Sequence, residues 1–160
     1  MNKKRLIKIL SFLSVLFWAA VIFHFSAAPG AKSEALSGGV SNNILQFLLS
    51  FFGSVFKNTK MIVVDGYVRE TAHSLEYAVF GALVYNAVIQ SEKVKKFTLL
   101  ISIALGFLYA LSDETHQLFV PNRAFELIDL TMDLIGITIG VLFCRWLYKI
   151  IKQKINSSKK

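Results

Sequence analysis

Four stretches of this chain are each apolar over about the 20 residues that a helix needs to cross the hydrocarbon core of a bilayer. The first runs from about Leu6 to Phe25, with Lys8 near its start. The others run from about Thr71 to Gln90, Phe97 to Leu118 and Leu127 to Tyr148. A fifth segment, Asn43 to Phe56, is apolar but short, and Gln46, Ser50, Gly53 and Ser54 interrupt it. It reads as an interfacial or re-entrant helix rather than a span. The expected fold is all-α: an integral membrane bundle of four transmembrane helices plus this one short helix. It forms a single domain with its core at about 20–145 and a basic tail at 149–160.

Composition closes off the alternatives. Apolar residues make up 54% and charged residues 18% of the chain, against about 25% charged in an ordinary soluble domain. A disordered chain lacks this much apolar material. Cys144 has no second cysteine to pair with, so a disulfide scaffold is excluded. No repeat period and no collagen-like or low-complexity run is present. The net charge of +8 is gathered between apolar stretches and is not interleaved with aromatic residues, so nucleic acid is not an expected partner.

The basic residues orient the bundle. One side holds Lys3, Lys4, Arg5 and Lys8, then Lys93, Lys95 and Lys96, then Arg145, Lys149, Lys152, Lys154, Lys159 and Lys160. The other holds Lys32, Lys57, Lys60, Arg69 and Arg123. The positive-inside rule then puts both termini in the cytoplasm. The connection over 25–70 and the turn over 119–126 face outward. The first segment also has the outline of a cleavable signal peptide ending at Ser26-Ala27-Ala28. Its apolar run is long for that, and Pro29 follows the best cut, so a retained helix is the preferred reading.

Polar residues collect at the outward end. In the second span Arg69, His73 and Glu76 stand at i, i+4 and i+7, within about 60° of one another on a helical wheel. In the third, Tyr109, Asp113, His116 and Gln117 share a face, and Glu114 points about 100° away from Asp113. In the fourth, Asp129, Asp133, Gly136 and Gly140 form one stripe. Pro121-Asn122-Arg123 makes the tight turn between the last two. An ionised side chain at the centre of a span costs about 2.5–3.5 kcal/mol on insertion scales, so such residues point to function unless a structural ion-pair network accounts for them.

Each has a plainer reading. His73, Glu76, Asp113 and His116 are weak candidates for a divalent metal; a hydrogen-bonded network that fixes helix packing is preferred, and no cofactor is expected. Asp113, Glu114, Asp129 and Asp133 are of the type used for acid/base chemistry. For Glu114 and Glu126, solvation at the membrane surface is preferred. Arg69 and Arg123 suit a phosphate or carboxylate, with snorkelling the rival for Arg69. Arg123 is expected to pair with Asp129 or Asp133. Gly136-x-x-x-Gly140 is a close-packing signature that more often packs a helix on its neighbours within one chain than dimerises it, and Gly106 serves similarly. No nucleophile elbow or phosphate loop is present.

Together these residues resemble the VanZ-like family of bacterial membrane proteins. The long block is Tyr109-Ala110-x-x-Asp113-Glu114-x-His116-Gln117-x-Phe119-x-Pro121-x-Arg123, followed by Asp129-x-x-x-Asp133-x-x-Gly136-x-x-x-Gly140. The second is Arg69-x-x-Ala72-His73-x-x-Glu76-Tyr77, and a weaker one is Phe25-Ser26-Ala27-Ala28-Pro29. Glu70 stands where the family often has Lys, and Ala28 where it commonly has a polar residue. The resemblance implies a cell-envelope factor. The founding member is associated with low-level resistance to the glycopeptide teicoplanin, without the known remodelling of the peptidoglycan precursor. No settled reaction comes with the family. The implied partners are the lipid bilayer and a lipid-linked cell-wall precursor or other anionic envelope component. A membrane-embedded enzyme acting on a lipid head group is the alternative.

Overall fold

The computed structural model describes residues 2–28, 43, 46, 61–91 and 96–158, with side chains from Glu70 onward in the helix that starts at Met61. Among these residues are four helices and no strand: α1 Lys3–Ser26, α2 Met61–Ile89, α3 Thr98–Gln117 and α4 Leu127–Ser157. The short helix expected over Asn43–Phe56 lies outside the described residues, apart from Asn43 and Gln46.

Local chemistry sets several of the ends. The Asn2 side chain caps α1 by accepting from the Lys4 N–H at 3.3 Å. At the end of α3 the Phe119 and Val120 N–H groups return to the His116 and Gln117 carbonyls. Then Arg123 N–H bonds to Val120 O at 3.2 Å, closing the expected turn. Pro121 presets its first corner, and Asn122 takes the second with φ 58. Asparagine is among the few residues that enter this left-handed region readily.

Two boundaries differ from expectation. Helix α2 begins at Met61 rather than near Thr71, and α4 continues to Ser157 rather than stopping near Tyr148. Apolar length marks where hydrocarbon starts and ends, not where a helix does. No proline interrupts 61–71. Beyond Tyr148, Ile151 and Ile155 lie on one side of the helix and Lys149, Lys152 and Gln153 on the other, with Lys154 at the border, a mixed pattern that carries the helix into water or along an interface.

Helix α2 is the hub, packed against the other three. Its approach to α4 is backbone on backbone. A Cβ placed on Gly136 would strike the Ser74 carbonyl oxygen, and one on Gly140 the Ala78 carbonyl oxygen. From the other side, a Cβ on Gly81 would meet the Ile137 carbonyl. In lipid, where apolar burial gives helices little reason to associate, such small-residue contact supplies the packing. Gly106 of α3 does the same more mildly, since its neighbour is the Ile137 side chain. Tyr77, Phe80, Val84, Ala110, Ile137 and Val141 fill the core, with Ile22 reaching in from α1.

Helix α1 is held mainly by side chains. Trp18 Nε1 donates to the Glu76 carbonyl at 2.9 Å, Tyr109 Oη to the Ala19 carbonyl at 2.6 Å, and Asn86 Nδ2 to Ser11 Oγ at 3.1 Å. Bonds of this kind between membrane helices average about 0.6 kcal/mol and reach about 1.7. Combining Trp18→Phe with Tyr109→Phe is therefore expected to lower stability by about 1–3 kcal/mol. Calorimetric melting of the purified protein in detergent reads this as a lowered midpoint with retained helix content.

The outer surface is apolar on all four helices, with Leu16, Phe17, Leu75, Leu100, Leu108 and Ile139 among the exposed residues. On a soluble protein such a surface would aggregate. Helices α1, α3 and α4 are each long and apolar enough to cross a bilayer, so the chain is a multi-pass membrane protein.

Candidate functional site

The polar stripes of α2, α3 and α4 meet at one end of the bundle, where α2 is in its first half, α3 finishes and α4 starts. Asp113, Glu114, Gln117, Asp129 and Asp133 are all buried there. Asp133, only 1% exposed, lies within electrostatic reach of Glu76, Asp113, Glu114 and Asp129. Glu76 is half-buried. Five carboxyl groups from three helices thus gather at this end, four of them around Asp133.

The second turn of partners is specific. Tyr77, fully buried, donates from Oη to Asp113 Oδ2 at 3.1 Å. Burying a tyrosine ring in a bundle requires a partner for its hydroxyl, and Asp113 supplies it. Ser74 Oγ bonds to the Met132 carbonyl at 3.2 Å, holding α2 beside the start of α4. The ring of His116 stacks on Phe23 of α1, with centroids 4.6 Å apart and planes 29° from parallel.

Glu114 corrects an expectation. Its solvation at the membrane surface is overturned by an exposure of 1%. Its Oε1 accepts from Gln117 Nε2 and its Oε2 from the Glu126 N–H, each at 3.1 Å. The physical reason is that α3 is covered by α2 and α4 together, so two faces about 100° apart are both interior. Glu126 is exposed, as expected.

Arg123 corrects another. Among the described residues it makes no ion pair with Asp129 or Asp133, and its Nε is buried without a partner. Those two acids lie on the α4 stripe of Gly136 and Gly140, which faces α2, whereas Arg123 belongs to the turn linking α3 to α4. Tyr109 leaves the open part of the cluster too, because Ala19 takes its hydroxyl. His73 is half-buried and is not free. Arg69 lies in α2, but its side chain is outside the described residues.

Among the described residues, five buried polar atoms have no hydrogen-bond partner: Asp113 Oδ1, Asp133 Oδ1, His116 Nε2, Arg123 Nε and Ser26 Oγ. Native structures leave few such atoms, and each calls for an explanation. Together they offer two carboxyl oxygens, one guanidinium donor, an imidazole and a hydroxyl. Among the described residues no three His, Cys, Asp or Glu side chains gather as a metal-holding group.

Ser26 and Tyr77 stand in the sequence blocks that carry the family resemblance but not among the candidate site residues. For Tyr77 the available signal was a phenol inside an apolar span, directly after Glu76. For Ser26 it was a small polar residue closing α1 at the polar end of the bundle.

The chain gives no match to a curated protein or to a solved structure. The model of the VanZ/LLP1 family matches residues 11–149. That range takes in all of the polar cluster, both glycines of the α4 stripe and most of α1. With the all-helical bundle and three membrane-length helices beside it, the match assigns the chain: it belongs to the VanZ/LLP1 family.

Proposed function

We propose that this protein acts in the bacterial cell envelope as a VanZ-like factor. All four helices cross the cytoplasmic membrane, both termini are cytoplasmic, and the polar cluster opens toward the outside. There it binds the head group of a lipid-linked cell-wall precursor or another anionic envelope component, and so modulates susceptibility to teicoplanin. The orphaned buried atoms carry this reading. Each unsatisfied group costs about 1–3 kcal/mol, and a ligand that completes them recovers that cost. Arg123 Nε suits a phosphate oxygen, with Arg69, in the first half of α2, a second cation. Asp113 Oδ1 and Asp133 Oδ1 suit hydroxyl or ammonium donors. A lipid-linked precursor presents both kinds of group.

The test is teicoplanin susceptibility in a null strain complemented at matched membrane levels. Wild type is expected to protect, while Glu76→Gln, His116→Ala and Asp133→Asn are expected not to. Losing one hydrogen bond to a charged group, about 1.5–3 kcal/mol, weakens a complex roughly 10- to 150-fold. If wild type gives no protection, the glycopeptide role is wrong for this chain.

A second reading is favoured by one observation, the buried His116 Nε2 that has no hydrogen-bond partner, on the helix that also carries Asp113 and Glu114. It makes the protein a membrane-embedded enzyme, metal-assisted or not, acting on a lipid head group. Turnover of lipid-linked precursor by purified protein, lost in His116→Ala, separates it from binding alone.

A further inference from the structure

The other end of α4 carries a feature that the polar cluster does not use. Leu142, Arg145, Trp146 and Lys149 line an open groove of about 340 Å³, within the ~300–1,000 Å³ typical of small-molecule sites. They stand at i, i+3, i+4 and i+7, one stripe of the helix. Leu142 and Trp146 are about half exposed, at 48% and 56%, and Phe143 backs the indole at 5.9 Å between ring centroids. Arg145 is half-buried and Lys149 is exposed.

Position along the helix gives the groove its chemistry. Arg145 lies about 27 Å and Lys149 about 33 Å from the start of α4 at 1.5 Å per residue. A hydrocarbon core is about 30 Å thick. The two cations therefore bracket its far boundary, where tryptophan concentrates, while Leu142 lies one turn deeper, among acyl chains. A ligand fitting this groove has an anionic head beside an apolar chain.

We infer that this groove binds the head group of an anionic phospholipid, with Arg145 and Lys149 on its phosphate, Trp146 against the glycerol and Leu142 along the first acyl carbons. The site is independent of the outward cluster and stands or falls without it. Lys152 and Lys154, one to two turns on, are exposed and outside the groove, which supplies a charge-matched control.

The test uses the full-length protein in detergent with phosphatidylglycerol or phosphatidylcholine added, bound lipid being counted by native mass spectrometry. Wild type is expected to prefer phosphatidylglycerol. R145Q/K149Q is expected to reduce that preference at least about tenfold, each cation near the membrane surface being worth about 1 kcal/mol. K152Q/K154Q is expected to change it less than about threefold. Equal losses in the two doubles would replace the site by diffuse attraction to a basic helix end, and no preference in wild type would remove it. Wild type is also labelled with a photoactivatable phosphatidylglycerol, which needs no variant to fold. Adducts on 142–149 support the groove, and adducts elsewhere overturn it.

Discussion

Gly140→Val is expected to abolish the native bundle. The first atom of any side chain at 140 falls on the Ala78 carbonyl oxygen, and a backbone atom in the middle of a helix cannot rotate away. Helices α2 and α4 would have to separate, breaking the closest packing in the fold. Overpacking a core that can yield costs about 1–3 kcal/mol; here the obstacle is main chain, so the loss should exceed about 3 kcal/mol. In detergent the variant should run as an aggregate on size exclusion or melt without a cooperative transition. Gly136→Val, aimed at the Ser74 carbonyl, should behave alike. Gly106→Ala is the comparison. Its neighbour is the Ile137 side chain, which can move, and the protein should remain folded. A stable, monodisperse Gly140→Val protein would show that α2 and α4 do not pack through this stripe.

Glu114→Ala is expected to be the most damaging change among the acidic residues. The substitution strands the Glu126 N–H and the Gln117 amide, both of which Glu114 now satisfies. At about 1–3 kcal/mol for each group left unmade, the loss is about 2–6 kcal/mol. Glu114→Gln retains an acceptor for the Glu126 N–H and should restore most of it. The same pair at Glu126, whose side chain is exposed, should be nearly silent. Thermal melts of the four variants in one detergent decide the matter. If Glu114→Ala and Glu126→Ala melt alike, Glu114 is a solvated residue and the clamp on the start of α4 is absent.

These two predictions mark where one-dimensional reading succeeds and where it stops. Gly136 and Gly140 are legible because helical spacing puts them on one line, and small residues on one line of an apolar helix have one main use. Asp113 and Asp133 are legible for a related reason: a carboxyl group deep in an apolar span faces protein, not lipid. Glu114 is not legible. A helical wheel separates it from Asp113 by about 100°, but how many sides of α3 are covered depends on where α2 and α4 come to rest. Gly81 was missed because its partner is the Ile137 carbonyl on another helix. Trp18 looks like an ordinary interfacial or core aromatic, and Tyr109 like a member of the polar face, until their donors are seen to reach backbone oxygens across a helix boundary.

From the residues alone follow the all-helical class, the membrane, the turn at Pro121-Asn122 and the gathering of polar residues at one end. Each rests on a local rule: the length of an apolar run, the periodicity of a helix, the steric preferences of proline and asparagine. The tertiary structure alone decides which carboxyl groups are bonded and which are left open. It gives Tyr77 to Asp113 and the Glu126 N–H to Glu114, and it leaves Asp133 Oδ1 and Arg123 Nε without partners. Hydrogen bonds require atoms about 3 Å apart, and separations that small between residues distant in the chain are set only when the glycine stripe has brought the helices together.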